Sequence, residues 1–138
     1  MTNAPQWRSG FERRLRADLD KLGVAYSYEA HTYALTLQVP GHYCEDCEGR
    51  DIRRVTKYTP DFYIEASSLT VEAKGKFDAR ARKIALAFVE QYPEKNYALL
   101  FQRDNWISGK KKQRYSDWCN KHNIAFAVGK WPKEWLAS

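Results

Sequence analysis

The chain has 138 residues, and its 23 lysines and arginines exceed its 17 aspartates and glutamates, which gives a formal net charge of +6. This length allows one domain with its own hydrophobic core and excludes two ordinary domains, so we expect a single domain over residues 1–138. No segment contains the roughly 18 apolar residues that a membrane-spanning helix needs, and the first residues lack the apolar core of a secretion signal. We therefore expect a cytoplasmic protein with no membrane partner.

Aromatic residues are mixed among the charges, with five Trp, nine Tyr and six Phe. Basic and aromatic side chains together are typical of a nucleic-acid-binding surface. A basic surface that serves only solubility is equally consistent with this composition. The cysteines number three, and a structural disulfide is not expected in a reducing compartment.

The first half of the chain predicts a helix, two strands and an irregular segment. Apolar residues recur every three or four positions after Ser9 and stop before Gly23, as on one face of an amphipathic helix: Phe11, Leu15, Leu19 and Leu22. Residues 24–30 and 33–39 are rich in Tyr, Val, Leu and Thr, which predicts two strands paired through a short turn. Residues 40–57 combine Gly, Cys, His and dense charge without an apolar period, which predicts a loop or a small insertion.

The second half predicts strands that alternate with helices. Residues 58–65 and 69–74 form a predicted hairpin. Asp78 can cap a helix that ends before Pro93. A buried strand, a short helix and a further strand are then predicted, in order, at residues 96–103, 115–122 and 124–128, and Pro132 can start a last helical turn. The predicted fold class is α/β, with an α+β mixed sheet flanked by helices.

Two predicted strands carry a set of groups suited to phosphodiester hydrolysis. Ten residues separate Pro60-Asp61 from Glu72-Ala73-Lys74. Alternate residues of a strand share a face, so Glu72 and Lys74 point the same way, and hairpin pairing can bring Asp61 beside them. Carboxylates can hold a divalent cation such as Mg²⁺, and a cationic group can lie near the attacking water. Asp61 in a plain turn, with Glu72 and Lys74 on a solvated strand face, is the structural alternative.

A third carboxylate, Glu12, has a purely structural interpretation from the local sequence. Ser9-Gly10-Phe11-Glu12 matches the capping box, in which the glutamate accepts a hydrogen bond from the N-cap amide. Capping explains Glu12 without any role in catalysis.

Several separated segments of the chain resemble endonuclease I of short-tailed coliphages, a family of Holliday-junction resolvases. They occur in the family's order and with similar spacing over nearly the whole chain. The segments are RSGFE (8–12), YTPDF (58–62), VEAKG (71–75), QYPE (91–94), YSDWCNKHNIAFA (115–127) and PKEW (132–135).

The resemblance implies a single nuclease domain with a restriction-endonuclease-like PD-(D/E)xK core, in an intertwined or domain-swapped homodimer. It implies that Asp61 and Glu72 are metal ligands, helped by the backbone carbonyl of Ala73, and that Lys74 positions or activates the water. Glu12 becomes the fourth catalytic residue and would come from the partner chain. The implied cofactor is Mg²⁺, for which Mn²⁺ can substitute, with no small-molecule cofactor. The implied substrate is branched DNA, above all the four-way junction, cut by paired nicks.

Basic residues in two regions are the predicted contacts to DNA phosphates. A branch-selective enzyme reads DNA shape more than base edges, so phosphate contacts should dominate. Each of these residues also has an ordinary explanation as a solvated surface charge. The predicted contacts are Lys76, Arg82, Lys83, Lys110, Lys111, Lys112 and Arg114.

The segment 40–57 departs from the family because it is longer than the family's bridge between the two halves. Cys44 and Cys47 have the C-x-x-C spacing of a zinc knuckle, and His42 could add a ligand. Cys119 and His122 have a suitable spacing for a second half-site. Free thiols on a loop and a plain helix at Cys119 are the alternatives to a structural Zn²⁺ site.

Two other functions remain open from the sequence. The same fold could nick duplex DNA without preference for a junction. Alternatively, the chain could be a basic DNA-binding module without catalytic activity.

Overall fold

The computed structural model describes residues 10–43 and 51–137. In this part of the chain the helices are α1 (Gly10–Leu22), α2 (Ala79–Gln91) and α3 (Tyr115–Lys121), followed by a short 3₁₀ helix (Lys133–Trp135). None of them is long and apolar enough to span a membrane. The strands are β1 (Tyr26–Tyr28), β2 (Tyr33–Tyr43), β3 (Asp51–Tyr58), β4 (Phe62–Ile64), β5 (Leu69–Lys74), β6 (Asn96–Phe101) and β7 (Ala125–Val128).

A five-stranded mixed sheet is the centre of the fold, with strand order β1-β4-β5-β6-β7. β1, β4 and β5 pair in antiparallel fashion, whereas β5, β6 and β7 are parallel. α2 makes the crossover from β5 to β6, and α3 lies in the crossover from β6 to β7. The sequence prediction of a mixed sheet flanked by helices is therefore confirmed.

Alternate residues of β5 and β6 face two hydrophobic cores, one on each side of the sheet. On one side Val71 and Leu100 pack with α1 residues such as Leu15. On the other side Leu99 packs with residues of α2, α3 and β2, among them Phe88. Within the described residues, helices thus cover both faces of the sheet.

The first predicted strand pairing is wrong. β1 pairs with β4, where Tyr26 lies opposite Ile64, and β2 pairs instead with β3 in a separate two-stranded sheet. Glu29 lies between β1 and β2 with a φ of 51°, a left-handed conformation, at the point where the chain leaves the five-stranded sheet. A local pattern predicts that strands exist, but not which distant strand each one meets.

The prediction of a loop over residues 40–57 is wrong for the residues that the structure describes, whereas the prediction that the segment is an insertion stays a prediction. β2 continues to Tyr43, and β3 begins at Asp51, while residues 44–50 lie outside the described part of the chain. β3 presents Arg53, Val55 and Lys57 to solvent, and Val55 is 69% exposed. A strand with a largely charged outer face shows little apolar period, which explains why the sequence resembled a loop.

Side chains of α2 satisfy the backbone of the β2 edge. The Gln91 amide donates to the Thr36 carbonyl at 2.8 Å and accepts from the Thr36 N–H at 2.9 Å. The Tyr92 hydroxyl donates to the Ala34 carbonyl at 2.8 Å. These contacts hold the β2–β3 sheet against α2, and they replace hydrogen bonds that an additional strand would otherwise make.

The remaining predicted elements are confirmed with small shifts. Asp78 caps α2 by accepting from the Ala81 N–H at 2.9 Å. The predicted strand 58–65 is shorter than expected, because Tyr58 ends β3 and Pro60, which has no N–H, precedes the start of β4 at Phe62. The last helical turn follows Pro132, as predicted.

Candidate active site

The pairing of β4 with β5 brings together the carboxylates of the PD and ExK segments. Phe62 lies opposite Val71, so Asp61 at the start of β4 comes beside Glu72. An oxygen of Asp61 accepts from the Ala73 N–H at 2.9 Å. The Lys74 ammonium lies 3.3 Å from the Glu72 carboxylate. The predicted meeting of Asp61, Glu72 and Lys74 is confirmed, although their roles stay a prediction.

These groups line a cavity of about 230 Å³ at the edge of the sheet. Glu12 from α1 contributes one side, and residues of α2 such as Ile84 contribute another. The cavity therefore has polar groups at the strand ends and an apolar wall, a combination typical of a small reaction site.

Glu12 reaches this site within its own chain. Its carboxylate accepts a hydrogen bond of 2.6 Å from the Tyr28 hydroxyl, and one of its oxygens lies within 4.8 Å of oxygens of Glu29 and Asp61. The expectation that a partner chain supplies Glu12 stays a prediction, because the structure contains one chain. Ser9 lies outside the described residues, so the predicted capping box is not described.

Glu29 is a candidate that the sequence analysis did not identify. Its backbone N–H donates to the Asp61 carbonyl at 2.8 Å, which ties the end of β1 to the start of β4. The sequence around Glu29 shows only a glutamate after a tyrosine-rich strand. Its place in the site depends on the β1–β4 pairing, which could not be predicted from local pattern.

Burial makes the negative charges of this site energetically costly. Burial, followed by the charges of Glu72 and Glu12, raises the pKa of Asp61 to about 8, against the opposing effects of the Ala73 N–H and Lys74. Burial also raises the pKa of Glu72, while Lys74 and the Tyr58 hydroxyl oppose this shift. A divalent cation would offset the repulsion, and a donor set of carboxylate oxygens suits Mg²⁺. The residues present therefore fit the implied metal.

A pair of buried tyrosines lies behind Glu72. The Tyr58 hydroxyl donates to Glu72 at 3.1 Å and lies 2.8 Å from the Tyr97 hydroxyl. Burial raises the pKa of both tyrosines well above their ordinary value. Neither tyrosine was singled out in the sequence, where both look like ordinary core aromatics.

The predicted DNA contacts fall into two groups in the structure. Lys76 and the three lysines 110–112 are exposed. In contrast, Arg82 donates to the Phe77 carbonyl at 2.7 Å, and Lys83 donates to the Gln38 carbonyl at 2.9 Å. Arg114 stacks on Trp106 at 4.0 Å and donates to the Asp104 carbonyl at 2.9 Å. This second group has structural contacts that the sequence did not indicate.

The basic turn around residues 109–114 belongs to the same edge of the sheet as the cavity. Lys74 lies opposite Phe101 at the ends of β5 and β6, and the Gln102 N–H donates to the Lys74 carbonyl at 3.0 Å. The chain passes from there into the segment that carries Lys110 to Lys112.

The predicted zinc site is only partly within the described residues. Cys44 and Cys47 lie outside them, and the side chain of His42 is not described. Cys119 is fully buried in the core around α2 and α3, and burial raises the pKa of its thiol to about 12. The His122 ring packs on Trp118 at 4.5 Å. Cys119 is thus a core residue, and the second half-site is not supported.

A cluster of buried carboxylates beside a lysine, at the open edge of a mixed sheet, defines a candidate active site of the hydrolytic class. The chain belongs to the phage endonuclease I family, whose sequence profile, "Phage endonuclease I", matches residues 1–138.

Two curated relatives agree with this family. The chain is 30% identical over 128 residues to "Endodeoxyribonuclease 1" of Enterobacteria phage T3, a match that covers 91% of this chain and 74% of the relative. It is 29% identical over 132 residues to "Endonuclease I" of Escherichia phage T7, covering 94% and 78% respectively. The resemblance stated from the sequence segments is confirmed, and the chain is a phage endonuclease by family.

Proposed function

We propose that this endonuclease is a Mg²⁺-dependent, structure-selective DNA nuclease with a PD-(D/E)xK fold, and that it cuts four-way junctions and other branched DNA. The observation that carries the proposal is the cavity in which Asp61, Glu72 and Lys74 meet. The names of the phage T3 and T7 relatives, an endodeoxyribonuclease and an endonuclease, support the reaction class.

Each polar residue of the cavity has a role in this proposal. Asp61 and Glu72, with the backbone carbonyl of Ala73, would hold Mg²⁺, for which Mn²⁺ can substitute. When bound, the cation supplies Lewis-acid stabilisation of the phosphate and lowers the pKa of water. Lys74, fixed against Glu72, orients the attacking water and stabilises negative charge that develops on the phosphate. Glu12 adds a further carboxylate beside Asp61.

DNA is held through its phosphates in this proposal. The exposed lysines Lys76 and 110–112 would contact the phosphates, while Arg82, Lys83 and Arg114 would supply charge from positions fixed by their own hydrogen bonds. A homodimer would place two such sites on opposed strands of a branch point and so produce paired nicks.

Cleavage of a labelled four-way junction in the presence of Mg²⁺ tests the proposal. We expect wild-type protein to introduce paired nicks, and Asp61→Ala and Glu72→Ala to lose at least about 100-fold in rate, or about 2.7 kcal/mol, while junction binding is retained. Asp18→Ala, a carboxylate on α1 away from the cavity, is the matched control. Equal rates in wild type and the two site variants would show that the assigned residues are not catalytic.

Substrate preference separates the proposal from the less selective nuclease. Rates on a four-way junction, a fork and a linear duplex should fall in that order at equal concentration. Equal rates on all three would favour a duplex-nicking enzyme. Wild-type protein that binds DNA but remains inert with both Mg²⁺ and Mn²⁺ would favour the non-catalytic module.

A further inference from the structure

Glu72 is held from two sides by neighbouring side chains. Its Oε2 lies 3.3 Å from the Lys74 ammonium, and its Oε1 accepts from the Tyr58 hydroxyl at 3.1 Å. Glu72 is only 8% exposed, so water cannot readily replace either partner. The two contacts together restrict the orientation of a long side chain that would otherwise have three rotatable bonds.

The hydrogen bonds behind Glu72 have a definite direction. An ionised carboxylate only accepts, so the single hydroxyl proton of Tyr58 points to Glu72. The 2.8 Å contact between the two tyrosines must then use the proton of Tyr97, with Tyr58 as acceptor. A chain of donation runs from Tyr97 to Tyr58 to Glu72, and in a buried environment each bond polarises the next.

Separate strands bring these three residues together. Tyr58 ends β3, Glu72 lies in β5, and Tyr97 lies in β6 opposite Thr70, the neighbour of Glu72 on the same face of the sheet. The Tyr58 ring also packs edge-on against Phe88 at 5.6 Å, which limits its movement. The β2–β3 hairpin therefore contributes to the site through the residue at its base.

We infer that Tyr58, supported by Tyr97, is a positioning residue that fixes Glu72 for binding of the divalent cation. The inference rests on the proposed function, because it assigns these tyrosines to that cation site. Mg²⁺ requires a nearly ideal octahedral arrangement of oxygens, so it depends on ligands held in place. Loss of the Tyr58 hydroxyl leaves Glu72 with the Lys74 contact alone, so one of the two contacts that fix its carboxylate for a cation is gone.

Calorimetric titration with Mn²⁺ alone, without DNA, measures this effect directly. Tyr58→Phe should bind Mn²⁺ on the order of tenfold more weakly than wild type. Tyr97→Phe should weaken binding less, because it acts through Tyr58. In the Tyr58→Phe background, Tyr97→Phe should change the dissociation constant little further, since the chain is already broken. Affinities within twofold of wild type, or strictly additive effects, would overturn the inference.

Tyr92→Phe is the matched control. It removes a tyrosine hydroxyl that donates to the Ala34 carbonyl of β2, a contact that does not involve Glu72. A purely structural role for Tyr58 predicts equal losses of thermal stability in Tyr58→Phe and Tyr92→Phe with unchanged Mn²⁺ affinity in both. That result would also overturn the inference.

Measurements on the wild-type protein distinguish a failure of the proposed function from a failure of the positioning role of Tyr58. Wild type that neither binds Mn²⁺ nor cleaves a junction would refute the proposed function itself. Wild type that binds and cleaves, beside a Tyr58→Phe variant with the same Mn²⁺ affinity and the same Mg²⁺ concentration for half-maximal cleavage, would refute only the positioning role.

Discussion

At the scale of single residues, Asp61 combines a buried carboxylate with nearby negative charges. It is 4% exposed, and the charges of Glu72 and Glu12 add to the effect of burial on its pKa. A group like this favours the protonated form in the folded state when no cation is bound. The folded site is therefore prepared for a cation at the expense of stability.

The pH dependence of the metal-free protein follows from this shift. The pKa of Asp61 rises from an ordinary 3.8 to about 8 on folding. The contribution of the protonated Asp61 to the free energy of unfolding is complete below pH 3.8, the ordinary value, and is lost as the pH rises to about 8, the value in the folded protein. In EDTA, Asp61→Asn should therefore raise the free energy of unfolding near pH 8 by several kcal/mol, since a tenfold change in an ionisation constant corresponds to about 1.4 kcal/mol, and should weaken its dependence on pH.

Chemical denaturation at several pH values checks this prediction. Asp18→Asn, on α1, should follow the wild-type curve and serves as the control. Because burial also raises the pKa of Glu72, the stability of Asp61→Asn should still fall partly with rising pH. A variant that is less stable than wild type over the whole range would contradict the predicted shift.

Glu29 offers a second test at this scale. Its carboxylate lies near those of Glu12 and Asp61, so Glu29→Gln should lower the negative charge of the site. We expect the Mg²⁺ concentration for half-maximal cleavage to rise on the order of tenfold, or about 1.4 kcal/mol, with a smaller change in the maximal rate. Glu65→Gln, on the exposed turn after β4, is the control. Equal Mg²⁺ dependence in the two variants would remove Glu29 from the site.

The residues of the site differ in how far the sequence could predict them. Glu72 and Lys74 share a strand, so a period of two was enough to place them together. Asp61 required only the pairing of adjacent strands. Tyr97 lies on β6 and Glu29 directly after β1, and both reach the site through the pairing of strands that are distant in sequence, which no short-range pattern contains.

At the scale of elements, the helices were predicted more reliably than the pairing of strands. α1 and α2 each have an apolar stripe and local start or stop signals, all of which are encoded within the helix itself. β2 and β3 owe their pairing to a hairpin whose outer face is largely polar and to contacts with Gln91 of α2. Those contacts join residues more than 50 positions apart in the sequence. Local patterns contain no sign of them, so the segment 40–57 resembled a loop.

The basic turn at the end of β6 permits a prediction about DNA binding. Replacement of the three lysines 110–112 by alanine should weaken junction binding and lower the slope of log affinity against log salt by roughly two to three. Lys21, Lys95 and Lys121 form the matched control, because these exposed lysines lie toward the opposite edge of the sheet. Binding isotherms at several salt concentrations measure both slopes. Equal slopes in the two triple variants would mean that the turn does not contact phosphates.

At the scale of the whole molecule, the layered architecture was predictable because alternating strand and helix patterns leave few ways to bury apolar faces. The full set of residues that forms the site was not predictable from the sequence. The family resemblance implies an intertwined dimer with a shared site, and this stays a prediction. Within the single chain, α1 packs on the sheet and brings Glu12 close to Asp61.

Mixed assemblies of two inactive variants test whether each site is complete within one chain. Glu12→Gln and Asp61→Asn proteins are unfolded together and refolded, and junction nicking is measured. If Glu12 acts within its own chain, every site carries one substitution and the mixture stays inactive. If a partner supplied Glu12, a mixed dimer would contain one intact site, and nicking would return to a substantial fraction of the wild-type rate. Wild type refolded with Asp61→Asn controls for recovery. Restored nicking in the mixture would show that chains exchange α1, against the arrangement within one chain.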